Sequence, residues 1–295
     1  MTTTLAHSME HVKGIRMRRI HRSLRSWLIQ LAALIFCLFF ALPFIWMFMT
    51  SIRTAGDLFT IPVHFFPQKG ITLQPYLDVM TTSNFGQYFL NSTYIAGVTT
   101  ILSTILSILA ALGFTRYRMA GGRVLMMSTL VSQLFPLVLL VPPMFIVMRT
   151  LHILDTRASL IIAYISFALP YSIWMLAGYL RSIPVELEES AMVDGATRLG
   201  AYLRVTLPLA IPGIIAAFIY CFILSWDEFL FATTFISNPN LRTLPLGLYS
   251  FIGEYTVQWN MLMAGAVVTT LPVVILFMFL QRYLIAGLTS GAIKG

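Results

Sequence analysis

Apolar residues in this chain gather in long blocks. Six intervals contain no charged side chain: 26–52, 79–115, 124–148, 158–180, 205–226 and 255–281. A helix needs about 20 apolar residues to cross the hydrocarbon core of a bilayer. The pattern therefore predicts six membrane-spanning helices, near 28–49, 91–113, 124–148, 159–180, 209–231 and 261–281. The first block is longer than a cleavable leader and lacks a small-residue cleavage site. Pro43 and Trp46 stand where such a site would fall, so a retained span is expected.

Composition agrees. Of 295 residues, 58% are apolar and 10% charged, against about 25% charged in a soluble domain. The net charge of +8 does not point to nucleic acid. Six basic residues (Lys13, Arg16, Arg18, Arg19, Arg22 and Arg25) lie in the tail before the first block, and the others are scattered between blocks. Charge so placed orients membrane segments rather than building a phosphate-binding face. Fourteen of the nineteen Lys and Arg fall on the side that holds both termini and the 114–123 and 181–208 loops. The excess of positive charge on cytoplasmic loops predicts that this side faces the cytoplasm. The expected organisation is a cytoplasmic tail over 1–27 and one transmembrane domain over 28–295.

Little else in the chain suggests chemistry. Cys37 and Cys221 sit inside apolar runs and read as small buried residues. No Cys/His spacing suits a metal. The five histidines (His7, His11, His21, His64 and His152) lie outside the blocks, and no catalytic cluster accompanies them, so no catalytic residues are expected. Each of the three lysines is followed by Gly, so the chain has no phosphate-binding loop of its own. Prolines 43, 136, 142, 143, 170, 212 and 272 fall inside the predicted spans. They bend or break helices, and the freed carbonyls need a neighbouring helix or cavity water. An ion- or proton-coupled secondary carrier is an alternative class. Such carriers tend to show inverted repeats and midplane charges, and neither is visible here.

The 181–208 segment is unlike a plain membrane loop. It carries four of the eleven acidic residues: Glu186, Glu188, Glu189 and Asp194. Pro184 suits a first helical turn, and the acids after it complement the helix dipole. Gly195 permits a sharp turn, and 197–207 reads as a second short helix closed by Pro208. This helix–turn–helix could dock into a partner groove through Ala191, Met192, Leu199 and Tyr202, or lie on lipid headgroups.

The spacing Glu189-Ser190-Ala191, three residues, Gly195, nine residues, Val205, one residue, Leu207-Pro208 resembles the EAA loop of ABC importer permeases. Asp194, Ala196 and Pro212 are similar to its sugar-importer version, while Ser190 and Val205 depart from it conservatively. Ser225-Trp226-Asp227-Glu228-Phe229 resembles the Trp-Asn-Glu-Phe region of these subunits, with Asp227 in place of Asn. Residues 242–247 resemble the external segment before the last helix of these subunits, and the ending 281–295 is similar to the C-terminus of the maltose-type second permease.

The resemblance implies an all-α integral membrane protein with the fold of a type I importer permease, in the inner or plasma membrane of a prokaryote. Its expected partners are ABC ATPase subunits, a homologous second permease and a periplasmic or extracellular sugar-binding protein. ATP and Mg would be used by the ATPase, and no cofactor or metal would be bound by this chain. The ATPase-coupling residues would be Glu186, Glu189, Ala191, Met192, Asp194, Gly195, Ala196, Leu207 and Pro208. Trp226, Asp227, Glu228 and Phe229 are candidates for the translocation path, though Asp227 and Glu228 could simply reach the outer interface. The external segment 52–90 and the aromatics Tyr249, Phe251, Tyr255 and Trp259 could face the binding protein, or the aromatics could form an interfacial belt.

Overall fold

The computed structural model describes residues 2–292 apart from 63, 83, 118 and 254, with side chains described for 25–283 apart from those four and 82. The side chains of Lys13, Arg16, Arg18, Arg19, Arg22, Arg118 and Lys294, counted above for orientation, lie outside that set. Helix α1 spans Thr2–Ser51, so the boundary expected at residue 27 is not a backbone break. Next come α2 (Ala55–Leu58), α3 (Gln74–Thr82), α4 (Phe85–Arg116), α5 (Gly122–Ser132), α6 (Leu137–Thr150) and α7 (Arg157–Arg181). Then follow α8 (Glu186–Val193), α9 (Arg198–Ala201), a π-helical turn (Tyr202–Thr206) and α10 (Leu207–Trp226). The chain ends with α11 (Leu230–Phe235), a 3-10 turn (Pro239–Leu241), α12 (Leu244–Tyr249) and α13 (Trp259–Ala292).

Among the described residues, five helices are long and apolar enough to cross a membrane, and a sixth crossing exists if α5 and α6 together form one. The third predicted span is not a single rod. α5 and α6 meet at 102°, with Pro136 leading into α6 at φ −58°. Proline withholds the backbone donor that would carry α5 onward. Gln133 Nε2 donates to Phe167 O at 3.0 Å and ties the bend to α7.

The centre of the bundle is α4, α7 and α10. The buried face of α4 is rich in small residues, Ser92, Ala96, Thr99, Thr100, Ser103, Ser107 and Ala111 among them. Small side chains at helical spacing let helix backbones approach closely where no hydrophobic drive operates. α10 meets α7 the same way at Gly213, where an added Cβ would stand 2.6 Å from Tyr179 Cγ. α1 packs beside α13 at the rim, and its apolar window is unburied.

One core cluster (Ala111, Leu176, Leu180, Ile183, Ala210) lies at the end where α8 and α9 sit. Two lie toward the other end, around Tyr164, Phe231 and Phe235, and around Phe85, Trp226 and Leu244. That other end is held by specific polar bonds. Asn91 Nδ2 donates to Asn240 O at 2.8 Å and Arg242 O at 2.9 Å, and Asn91 Oδ1 accepts from Arg157 at 2.9 Å. Asp155 Oδ1 accepts from the N–H groups of Ser237 and Asn238, both at 2.9 Å. The 52–73 stretch is also folded. Arg53, 3% exposed, donates to the carbonyls of His64 and Phe65, and buried Asp57 accepts from Gln68 N at 3.1 Å.

Candidate functional site

The 181–208 segment forms the expected elbow, with one difference in its backbone. α8 runs Glu186–Val193, and Asp194 follows it. Gly195 adopts φ +90°, a left-handed conformation that glycine takes without steric cost. Thr197 then caps α9, its Oγ1 accepting from Gly200 N at 3.1 Å. Here the expectation fails: Pro208 does not close a second short helix. α9, the π turn and α10 run on as one apolar rod, Arg198–Trp226. The π turn is the physical reason. Leu207 N–H reaches back five residues to Tyr202 O, and this wider turn admits Pro208 within the first turn of α10.

Exposure sorts the expected coupling residues. Glu186, Glu189, Asp194 and Gly195 are exposed, while Ala191, Met192 and Ala196 are half-buried. Leu207 and Pro208 lie on the rod rather than at the elbow. Val193 and Leu199 are 87% and 65% exposed, large apolar groups offered at the elbow itself. Tyr202, read from sequence as an anchor, is 6% exposed and packs inward.

The sequence reading missed what holds the elbow. Glu188 is buried, and its Oε1 accepts from Arg116 Nε at 2.6 Å and from Thr206 Oγ1 at 2.8 Å. Arg116 also donates to Ile183 O at 3.1 Å. One ion pair thus joins the end of α4, helix α8 and the π turn. Charge-assisted bonds of this length are the strong class. Four helical positions separate Glu188 from Met192, so both share the inward face, beside a cavity of about 90 Å³ also lined by Glu189, Arg198 and Tyr202. Helical spacing could have shown that only some of the acids turn inward. It could not have named Arg116 as the partner.

The 226–229 group is not brought together as one surface. Trp226 is 1% exposed, stacks on Phe222 at 5.4 Å and donates from Nε1 to Thr269 O at 3.1 Å. α10 ends there, short of the predicted 231. Asp227 is exposed where the helix ends. Glu228 turns its carboxylate onto the start of α11, accepting from Phe231 N at 2.8 Å and Ala232 N at 3.2 Å. A carboxylate satisfies the free N–H groups of a helix start. The half-buried Phe229 ring lies 5.3 Å from that of Tyr249. Of the four aromatics considered for an outer belt, Tyr249, Tyr255 and Trp259 are exposed, but Phe251 is buried in the core.

Known proteins show the same architecture. The chain is 38% identical over 253 residues to the sulfoquinovosyl glycerol transport system permease protein SmoH of Agrobacterium fabrum, covering 86% of this chain and 88% of that one. It is 34% identical to the trehalose transport system permease protein SugB of Mycobacterium tuberculosis, over 86% and 92% of the two chains. It is 33% identical to the trehalose/maltose transport system permease protein MalG of Thermococcus litoralis, over 88% and 93%. A chain of a bacterial ABC transporter that imports the acidic polysaccharide alginate superposes with a TM-score of 0.74 at 25% identity, over 89% of this chain and 98% of that one. Residues 103–290 match the family described as binding-protein-dependent transport system inner membrane component. With its multi-pass helical bundle and its exposed helical elbow between α7 and α10, the chain belongs to that family of inner membrane transport components.

Proposed function

We propose that this chain is a permease subunit of an ATP-driven, binding-protein-dependent carbohydrate importer, forming half of the translocation path. The relatives named above carry trehalose, maltose and sulfoquinovosyl glycerol transport in their names, which supports a carbohydrate cargo. On this reading the partners are a pair of ATPase subunits, a homologous second permease and a sugar-binding protein on the outer side. ATP and Mg are consumed in the ATPase, and this chain binds no cofactor.

The observation that carries the reading is the elbow. It exposes acids and apolar groups together, its base is fixed by the Arg116–Glu188 pair, and it is continuous with a membrane span. α8 would seat in a cleft of the ATPase, with Glu189 and Asp194 setting its orientation. Closure of the ATPase pair would then tilt the rod between two packings of the bundle.

The test is reconstitution of the assembled complex in vesicles, with saccharide uptake and ATP hydrolysis measured together. Glu189→Lys and Gly195→Pro are expected to insert normally and to lose uptake, because the first reverses a charge on the docking face and the second demands φ near −65° where the chain needs +90°. Normal uptake by both variants would refute the docking role.

A further inference from the structure

We propose that Tyr171, Trp174 and Tyr220 form a saccharide-stacking face in the middle of the membrane path. This rests on the carbohydrate-importer reading and names the site where this subunit would touch its cargo.

Tyr171, Trp174, Gly178 and Arg181 recur at helical spacing along one exposed face of α7. Tyr171 and Trp174 are 37% and 42% exposed. Their ring centroids lie 6.0 Å apart, and Tyr220 of α10 brings its ring to 4.6 Å from that of Tyr171. Three aromatic rings thus form one patch across two central helices.

Depth argues that the patch faces water rather than lipid. Tyr171 stands ten residues from Arg181 and fourteen from Arg157, about 15 Å and 21 Å along the axis. That is mid-span, whereas tyrosine and tryptophan against lipid favour the headgroup level. No hydrogen bond to the Tyr171 or Tyr220 hydroxyl or to the Trp174 indole N–H occurs among the described residues. In hydrocarbon each such group would go unsatisfied, which is costly. A hydrated path removes that cost.

The patch also leads somewhere. Trp174 lines a cleft of about 740 Å³ at the elbow end of the bundle, shared with Tyr117, Met126, Arg123 and Arg181. Neither arginine has a carboxylate partner among the described residues, where the single ion pair is Arg116–Glu188. A route therefore runs from clustered rings at mid-depth to two guanidinium groups at the mouth that no carboxylate pairs, Arg181 donating only to Met126 Sδ at 3.0 Å. A pyranose matches it: its C–H face lies on aromatic rings, and its hydroxyls meet phenol and indole groups. The same matching fails at Trp226, whose ring is enclosed by Phe222 and Phe89.

The test uses the complete complex in vesicles with its binding protein and labelled saccharide at sub-saturating concentration. Trp174→Leu keeps an apolar group but removes the π face together with some bulk, and Trp174→Phe, also smaller than Trp, keeps a ring. Trp174→Leu and Tyr171→Leu are expected to lower uptake about tenfold, while ATPase stimulation by the loaded binding protein persists. Trp174→Phe is expected to stay within about threefold of the parent. Tyr171→Phe/Tyr220→Phe, which assembles without change of shape, is expected to raise KM several-fold. Equal uptake by the Leu and Phe variants, with KM unchanged in the double Phe variant, would overturn the stacking face alone. A parent complex that hydrolyses ATP but takes up no saccharide would overturn the importer reading, and this proposal with it.

Discussion

Replacing Glu188 by alanine isolates the contribution of the pair at the base of the elbow. The side chains of Arg116 and Glu188 are 4% and 5% exposed. Removing one partner of a buried pair costs about 3–5 kcal/mol, because the other charge stays behind without compensation. Arg116 would keep its bond to Ile183 O, which moderates the loss, while Thr206 Oγ1 would lose its acceptor. The lower end, about 3 kcal/mol, is therefore expected. It should fall on the elbow rather than on the whole bundle, since the three core clusters do not include Glu188. Hydrogen exchange reads it directly: the protected α8 amides should exchange roughly a hundredfold faster, with α4 and α7 little changed. Arg116→Met/Glu188→Leu, an apolar pair of similar bulk, should recover most of the protection. Unaltered α8 exchange in Glu188→Ala, or a double variant no better protected than the single one, would refute the argument.

Three further outcomes follow from the geometry. Gly213→Ala should cost about 1–3 kcal/mol by pressing on the Tyr179 ring, seen as a lower thermal midpoint that Tyr179→Ala restores. Trp226→Ala should cost about 3–5 kcal/mol from the void it leaves in the core, whereas Trp226→Phe should retain parental uptake per folded complex, measured against the amount purified. Asp155→Ala should release the Ser237 and Asn238 amides, a loss of about 1–2 kcal/mol, read as roughly tenfold faster exchange there.

Charge-free blocks located the spans because lipid penalises every charge within them, and the elbow motif was legible because its spacing is fixed over many positions. Hydropathy has no sense of direction, however, so 124–148 read as one rod although α5 and α6 meet at 102°. Pro136 carried the clue, but six other prolines inside the spans gave the same signal. Pro208 misled for a related reason: proline is a terminator unless the turn before it widens, and only backbone geometry shows the π turn. Tyr202 was misplaced and Glu188 passed over because the short helical pieces either side of Gly195, eight residues in α8 and four in α9, have too few turns to distinguish their faces by composition. The Arg116 partnership spans 72 residues, a distance over which a single sequence carries no pairing signal. The folded 52–73 cap was hidden likewise, since its order rests on Arg53 reaching two carbonyls rather than on any apolar period.

The unbroken run from Arg198 to Trp226 sets a mechanical scale. Its 29 residues measure about 43 Å at the rise of an α-helix. A beam of that length, pivoted near one tip and rotated by about 10°, sweeps the opposite tip through about 7 Å, more than one helical pitch. Under the proposed docking, with the Thr206–Glu188 bond bracing the π turn, a small rocking at the foot would open a gap wide enough for a sugar ring at the head.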